Sequence, residues 1–365
     1  MPQVQDGWQE HELTPDAWLA LVDVARTQQL APLLYWQMRK WLPESPPGVQ
    51  KTLRDLHMMA SIGALLRERA LRQALAALNA AGVRPGLFKG SALAFTVYPT
   101  PACRPMGDLD LWVPADEMPR AQAALESLGY VQRTKAARPL DWQQARDEEI
   151  QLFGQESGQG LIELHWGFFP GEWSHRAARI DRKSVQDRLR PTAVLGHSVC
   201  LLAPEDALIQ LAVHTMISHH MTVNVLRGLV DIALLSQQGM DWAIVVDRAR
   251  AWRLVTVVGC VLDAVVSLFP EAGMEAAAAA LRSSSVQRWL SNRRIVPDRL
   301  RAPQDLPPAR QRFLSLLPLV DRPMDVAALL ARSVWPERQW LDARYGRAGL
   351  GVRLRHAGAV LRGKV

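Results

Sequence analysis

Apolar residues recur at helical spacing through the first eighty positions of the chain. Trp18, Leu19, Leu21, Val22 and Val24, followed by Leu30, Leu33, Leu34 and Trp36, fit one face of a helix over about 15–40. Pro43, Pro46 and Pro47 break the chain there. A second helix is predicted from about Thr52 to Ala80, with Leu56, Met59, Leu66, Ala70, Leu71, Ala74 and Leu78 in register and Gly82 suited to its C-cap. At Val83 the pattern shortens. Pro85-Gly-Leu-Phe88 reads as a strand, Lys89-Gly-Ser91 as a turn, and Ala92–Tyr98 as a short helix that Ser91 would cap. After the loop Arg104-Pro-Met-Gly107, the segment Asp108–Val113 alternates polar and apolar residues, as a half-buried strand does. A helix over Ala115–Leu128 follows, ended by Gly129, then strands around Tyr130–Arg133, Ile150–Phe153 and Gly160–His165. Strand, helix, strand, helix, then strands make a small mixed α/β domain of roughly residues 83–170.

From Pro204 the periodicity is helical again, with helices expected from Pro204 through His220, over Val223–Gln237, from Asp241 to Ala249, over Trp252–Phe269 and over Leu281–Leu290. Prolines at 303, 307, 308, 318 and 323 make 300–325 less regular, and 325–365 holds at least one further helix and a basic end. The longest apolar stretch, Leu254–Phe269, is interrupted by Asp263 and too short for a comfortable membrane span, so it reads as a buried helix. No basic start leads into an apolar run, so a signal peptide is not expected. Cys103, Cys200 and Cys260 show neither C-x-x-C spacing nor an even framework. The expectation is a reducing, cytoplasmic setting without structural zinc.

Charge changes this picture little. The chain carries a formal +7, concentrated beyond Arg293, and its cations are overwhelmingly arginine, with only six lysines. A basic tail can meet nucleic acid or an anionic protein. The tail lacks the interleaved aromatics that stack bases, and a compositional arginine bias explains it without any binding role.

The candidate chemistry lies in the middle. Asp108 and Asp110 stand two apart on one strand and therefore share a face. Carboxylates that close repel unless a cation lies between them, and oxygen ligands suit Mg²⁺ or Mn²⁺. Glu163 sits between apolar neighbours on another strand, where a buried acid needs a partner; beside the aspartates it would complete a three-carboxylate site. His165, two residues on, shares its face and reads as a substrate contact or core histidine rather than a metal ligand. Gly90 permits close approach of a ligand, and the amides of Gly90 and Ser91 open a helix, where anions bind. Lys89 could neutralise a phosphate or lie solvated at the surface. Arg104 could grip a phosphate through its fork or pair with Asp108 or Asp110. His214, His219 and His220 lack zinc spacing, and Arg227 with Asp231, four apart, most simply form an intrahelical ion pair.

The run Leu87-Phe-Lys-Gly-Ser-Ala-Leu-Ala, Tyr98-Pro, and Arg104-Pro-Met-Gly-Asp-Leu-Asp-Leu-Trp-Val113 resembles the uncharacterised bacterial nucleotidyltransferase family of the DNA polymerase β-like superfamily. Weaker likeness extends over about residues 83–235, through Leu161–Trp166 and the helical Leu211–His214 and Leu229–Asp231 stretches. The resemblance implies an α+β fold: a polymerase β-like core with a mixed sheet, flanked by N-terminal helices and a mainly helical C-terminal domain. It suggests an N-terminal helical region over 1–82, a nucleotidyltransferase core over 83–200, a helical acceptor-side domain over 201–300 and a basic region over 301–365. It further implies a Mg²⁺- or Mn²⁺-dependent enzyme that moves a nucleoside monophosphate from a nucleoside triphosphate, ATP being the expected one, to a hydroxyl or similar acceptor, releasing pyrophosphate. Asp108, Asp110 and Glu163 would be catalytic and hold the metal, with Lys89, Gly90, Ser91 and Arg104 binding the triphosphate. A small molecule, peptide or protein is favoured over nucleic acid as acceptor, and no membrane partner is expected. Two departures stand out: the 18-residue interval from Gly90 to Asp108, and a glutamate as third acid. The alternative is a catalytically silent relative that binds nucleotide or a partner protein.

Overall fold

The protein is described here by a computed structural model covering residues 13–39, 45–133, 148–169, 172–222, 224–282 and 308–362. Three helices come first: α1 (Pro15–Thr27), α2 (Ala31–Met38) and α3 (Pro47–Ala80). Thr14 Oγ1 accepts the Ala17 amide at 3.3 Å and starts α1 ahead of Pro15. The single helix expected over 15–40 is broken in two, because Gln29 takes a left-handed φ of 56°. The break folds α2 back on α3, so that Val22, Ala25, Ala31, Val49 and Leu53 bury one another in a small separate core.

The chain then forms β1 (Gly86–Leu87), α4 (Lys89–Thr96), β2 (Asp108–Trp112), α5 (Met118–Glu126), β3 (Tyr130–Arg133), β4 (Glu149–Gly154) and β5 (Leu161–His165). Two short helices, α6 (Glu172–Ala177) and α7 (Arg182–Gln186), precede a hairpin of β6 (Arg190–Val194) and β7 (His197–Leu201). Among the described residues seven strands join one mixed sheet in the order β3-β4-β5-β2-β1-β7-β6. The pairs β2–β5 and β1–β7 are parallel and the rest antiparallel.

Alternation divides the sheet into two faces. Leu87, Leu109, Leu111, Ile150, Leu152, Ile162, Leu164 and Val199 bury one face against the C-terminal half of α3 and against α5. The other face contributes Phe88 and Trp112, which pack with Phe168 and a larger helical core. That core is built by α8 (Pro204–Val213), a π-helical turn over His214–Ser218, α9 (Val225–Ser236), α10 (Trp242–Ala251), α11 (Val255–Leu268) and α12 (Ala272–Ala280). α11 is the expected buried helix, with Asp263 only partly covered. Among the described residues four further helices follow: α13 (Ala309–Leu316), α14 (Pro323–Val334), α15 (Arg338–Tyr345) and α16 (Leu350–Leu361). Among the described residues no helix is long and apolar enough to cross a membrane. The helix expected over Leu281–Leu290 and the start of the basic stretch fall largely outside the described residues.

The β6–β7 hairpin escapes the hydrophobic pattern for a physical reason. Four of the five β6 residues are exposed, so nothing alternates, and Pro191 is tolerated because β6 is an edge strand. Leu195 and Gly196 both take positive φ, the geometry of a tight two-residue hairpin turn that sequence signals usually mark with Asn-Gly.

Candidate active site

The site is built on the centre of the sheet, where β2, β5 and β4 run side by side. Register places Asp110 against Glu163 and Glu163 against Gln151; one step along, Trp112, His165 and Glu149 form the next row. Residues in register share a face, and diagonal neighbours reach each other through long side chains. His165 Nε2 therefore lies 3.1 Å from Asp110 Oδ1 and 3.8 Å from a Glu163 oxygen, while its Nδ1 lies 3.2 Å from Glu149 Oε2. Gln151 donates to the second Glu163 oxygen at 2.8 Å. Donor atoms of Asp110, Glu163 and His165 all fall within 4.8 Å of one another, a spacing that can hold a metal ion. Asp108 lies two residues before Asp110 and is less buried.

The turn into α4 meets this row from the β1 side. The Phe88 amide donates to the Asp110 carbonyl at 3.3 Å, but the Phe88 carbonyl is already taken by the Ala92 amide in the first helical turn. Ser91 Oγ fills the gap, accepting the Asp110 amide at 2.8 Å. Helix α4 thus begins at Lys89, three residues earlier than the pattern predicts, and Ser91 supports β2 instead of capping a helix. Lys89 holds a left-handed φ of 41°, a conformation costing a non-glycine residue about 1–2 kcal/mol. In that conformation its buried ammonium reaches Asp110 Oδ1 at 2.6 Å. Lys89 is therefore paired with a carboxylate rather than solvated.

Arg104 pairs with neither Asp108 nor Asp110. Its fork closes on Asp231 of α9, with Nε 3.2 Å from Oδ1 and Nη2 2.8 Å from Oδ2, and Tyr98 donates to Oδ1 at 2.6 Å. A Cβ at Gly90 would fall 2.5 Å from Arg104 Nη1, so the glycine makes room for the guanidinium beside the turn. The ion pair expected between Arg227 and Asp231 gives way to this tighter arrangement. Arg227 donates instead to the Gln29 side chain and to the Pro105 carbonyl, the latter at 3.3 Å. Burial and the Arg104 charge lower Arg227 to about 10.

Electrostatics follow from this crowding. Burial, then Asp110, raise Asp108; burial, then Glu149 and Asp110, raise Glu163. Burial alone would raise Asp110 too, but the Lys89 ammonium and the His165 hydrogen bond hold it well below the usual carboxylate range. On the helical side His214, whose ring lies 4.3 Å from that of His219, is pushed well down by burial and by Lys89, so it is neutral at pH 7.

Burial and Lys89 push His165 down, but Asp110 and Glu149 prevail and raise it from 6.5 to about 9. A folded-state value above the unfolded one stabilises the protein fully below pH 6.5, and that contribution disappears as pH rises through 9. The loss is on the order of 3 kcal/mol. Thermal unfolding of metal-free protein should weaken across this window, and a His165→Gln variant should flatten that part of the profile. Identical profiles for the two proteins would contradict the charged assignment.

Several partners were invisible to sequence reasoning. Glu149 and Gln151 carry no motif and are brought in by the strand register alone; Tyr98 and Asp231 lie in stretches that carry the family resemblance, but only the packing of α9 joins them to Arg104.

A family model described as an uncharacterised nucleotidyltransferase matches residues 14–270. No curated protein and no solved structure matches the chain.

Proposed function

We propose a metal-assisted nucleotidyltransferase, starting from the fact that the chain belongs to the uncharacterised nucleotidyltransferase family. The observation that carries the reading is the convergence of Asp110, Glu163 and His165 from adjacent parallel strands. Two carboxylates and an imidazole fit a divalent ion; the oxygens suit Mg²⁺, and the nitrogen extends the fit to Mn²⁺. A bound ion would supply charge neutralisation at the transferring phosphate and lower the pKa of an acceptor hydroxyl.

The chain's own residues would do the rest. Asp108 and Asp110 would share the cation, with Glu163 on the acceptor side. The first-turn amides of α4 at Gly90 and Ser91 are of the kind a helix leaves without intrahelical partners, and they would receive phosphate oxygens. Lys89, already beside Asp110, would turn to the triphosphate once a cation takes its place. Arg104 would hold the turn against α9 and present its Nη1, which also donates to the Pro105 carbonyl at 3.5 Å, toward Gly90. The reaction would be an in-line attack of an acceptor hydroxyl on the α-phosphorus of ATP or another nucleoside triphosphate, with pyrophosphate leaving. A small molecule, peptide or protein is the favoured acceptor, in a cytoplasmic setting.

One observation favours the silent alternative: Lys89 occupies the Asp110 oxygen that a cation would need. The two readings separate on incubation of the full chain with α- and γ-labelled nucleoside triphosphates, Mg²⁺ or Mn²⁺, and cell extract split into small-molecule and protein fractions. Label from the α-phosphate in a product, with pyrophosphate released, is the expected result. Nucleotide binding without any transfer would establish the silent reading, and transfer of γ-label would replace both.

A further inference from the structure

We propose that α3 carries a self-complementary face through which two copies of the chain pair antiparallel. The 34-residue helix buries Leu53 near one end and Leu71, Leu75 and Leu78 near the other. On the opposite side, midway along, Met58, Met59, Ile62, Leu65 and Leu66 are 40–70% exposed. At 100° per residue these five fall within an arc of about 120°, a continuous apolar stripe rather than scattered positions. Such a patch on a globular protein marks an interaction surface.

The charges bounding the stripe specify its occupant. Asp55 and Arg69, both exposed, lie on the same arc, seven residues before and seven after Ile62. A two-fold axis through Ile62 sets Asp55 of each copy opposite Arg69 of the other. It also faces Met58 with Leu66 and Met59 with Leu65, so every apolar side chain meets an apolar partner. Parallel pairing would oppose aspartate to aspartate and arginine to arginine, and is disfavoured. An isologous contact of this kind closes at two copies. Gly63 borders the stripe, and a Cβ built there would meet nothing within 4 Å, leaving room for a second helix to approach. The Lys51–Asp55 pair, 3.0 Å long and largely solvent-exposed, contributes little and is easily exchanged for an inter-copy partner. The inference is independent of the proposed chemistry, since none of the five side chains belongs to the candidate site; only Leu66 among them borders the sheet's β4–β5 loop, at Gly158.

Sedimentation velocity of the full chain over a micromolar concentration series tests it. The wild type should show a monomer–dimer equilibrium. Asp55→Arg and Arg69→Asp should each weaken it by about tenfold or more, and the double exchange D55R/R69D should restore it. Ile62→Cys should cross-link two copies on mild oxidation, because the axis brings that position against itself. A wild type that stays monomeric overturns the proposal. So does a dimer indifferent to the single exchanges, or a double exchange that fails to recover pairing.

Discussion

Asp108→Asn should abolish nucleotidyl transfer and leave the fold as stable as before, whereas Asp110→Asn should lose both. The difference lies in what each carboxylate touches. Asp108 is raised by burial and by its neighbour Asp110, so its charge is held at a cost, and an uncharged amide relieves repulsion. Its unfolding midpoint should move by no more than a degree or two, the scale of about 0.5 kcal/mol in a chain this size. Asp110 is the counter-charge for two buried cations, Lys89 at 2.6 Å and His165 at 3.1 Å. Its replacement takes the carboxylate from Lys89 and leaves His165 to Glu149 and Glu163, and breaking a buried pair from one side costs about 3–5 kcal/mol. The midpoint should then fall by roughly 5 °C. Either variant should lose a thousandfold or more in transfer, the order expected when a group that binds the catalytic charge is removed. Calorimetric melts beside the labelled-nucleotide assay measure both quantities. Transfer that survives Asp108→Asn would remove Asp108 from the chemistry, and an unchanged melt for Asp110→Asn would mean that the ion pairs with Lys89 and His165 do not stabilise the fold.

How far the site could be read beforehand follows from how local each signal is. Asp108 and Asp110 declare themselves through strand alternation, a two-residue rule, and the alternating Leu109 and Leu111 fix the face. Glu163 and His165 repeat the same rule on β5, but nothing in one strand says which strand lies next to it. The parallel β2–β5 register does, by setting Glu163 beside Asp110. From sequence, His165 reads as a core or substrate-contacting residue because a hard-cation site needs no imidazole. The register instead puts its Nε2 among the carboxylate oxygens and its Nδ1 on Glu149, a residue with no signature of its own. Asp231 illustrates the opposite error. Its four-residue spacing from Arg227 is a sound local rule, but Arg104, 127 positions earlier, offers two hydrogen bonds from a rigid fork, and the long-range partner wins. The same limit explains the fold. Helices with an apolar stripe and strands with one buried face were legible. The exposed edge strand β6, and the left-handed break at Gln29, depend on neighbours that the pattern does not encode.

Asp231→Ala should be the most destabilising single change outside the Asp110–Glu163–His165 cluster, and its rescue separates two roles for Arg104. Asp231 is 2% exposed and accepts from both Tyr98 and Arg104, tying the loop before β2 to α9. Without it the Arg104 guanidinium is buried with no counter-charge, next to Arg227, which Arg104 already depresses. The expected cost is about 3–5 kcal/mol by guanidinium chloride unfolding. Tyr98→Phe, which removes one hydrogen bond to the same carboxylate, should cost only about 1–2 kcal/mol. The double replacement Arg104→Met with Asp231→Leu exchanges the buried pair for apolar side chains of similar length and should recover most of the stability lost by Asp231→Ala, since a buried pair is often no better than a packed apolar one. Stability can thereby be restored without restoring the guanidinium. If Arg104 only braces the α4 turn, the stable double variant should keep substantial transfer. If its Nη1 edge grips the triphosphate, the double variant should fold normally and show a raised KM for nucleotide. A double variant as unstable as Asp231→Ala would show instead that the site tolerates no apolar substitute, and that the charge pair itself specifies how α9 docks.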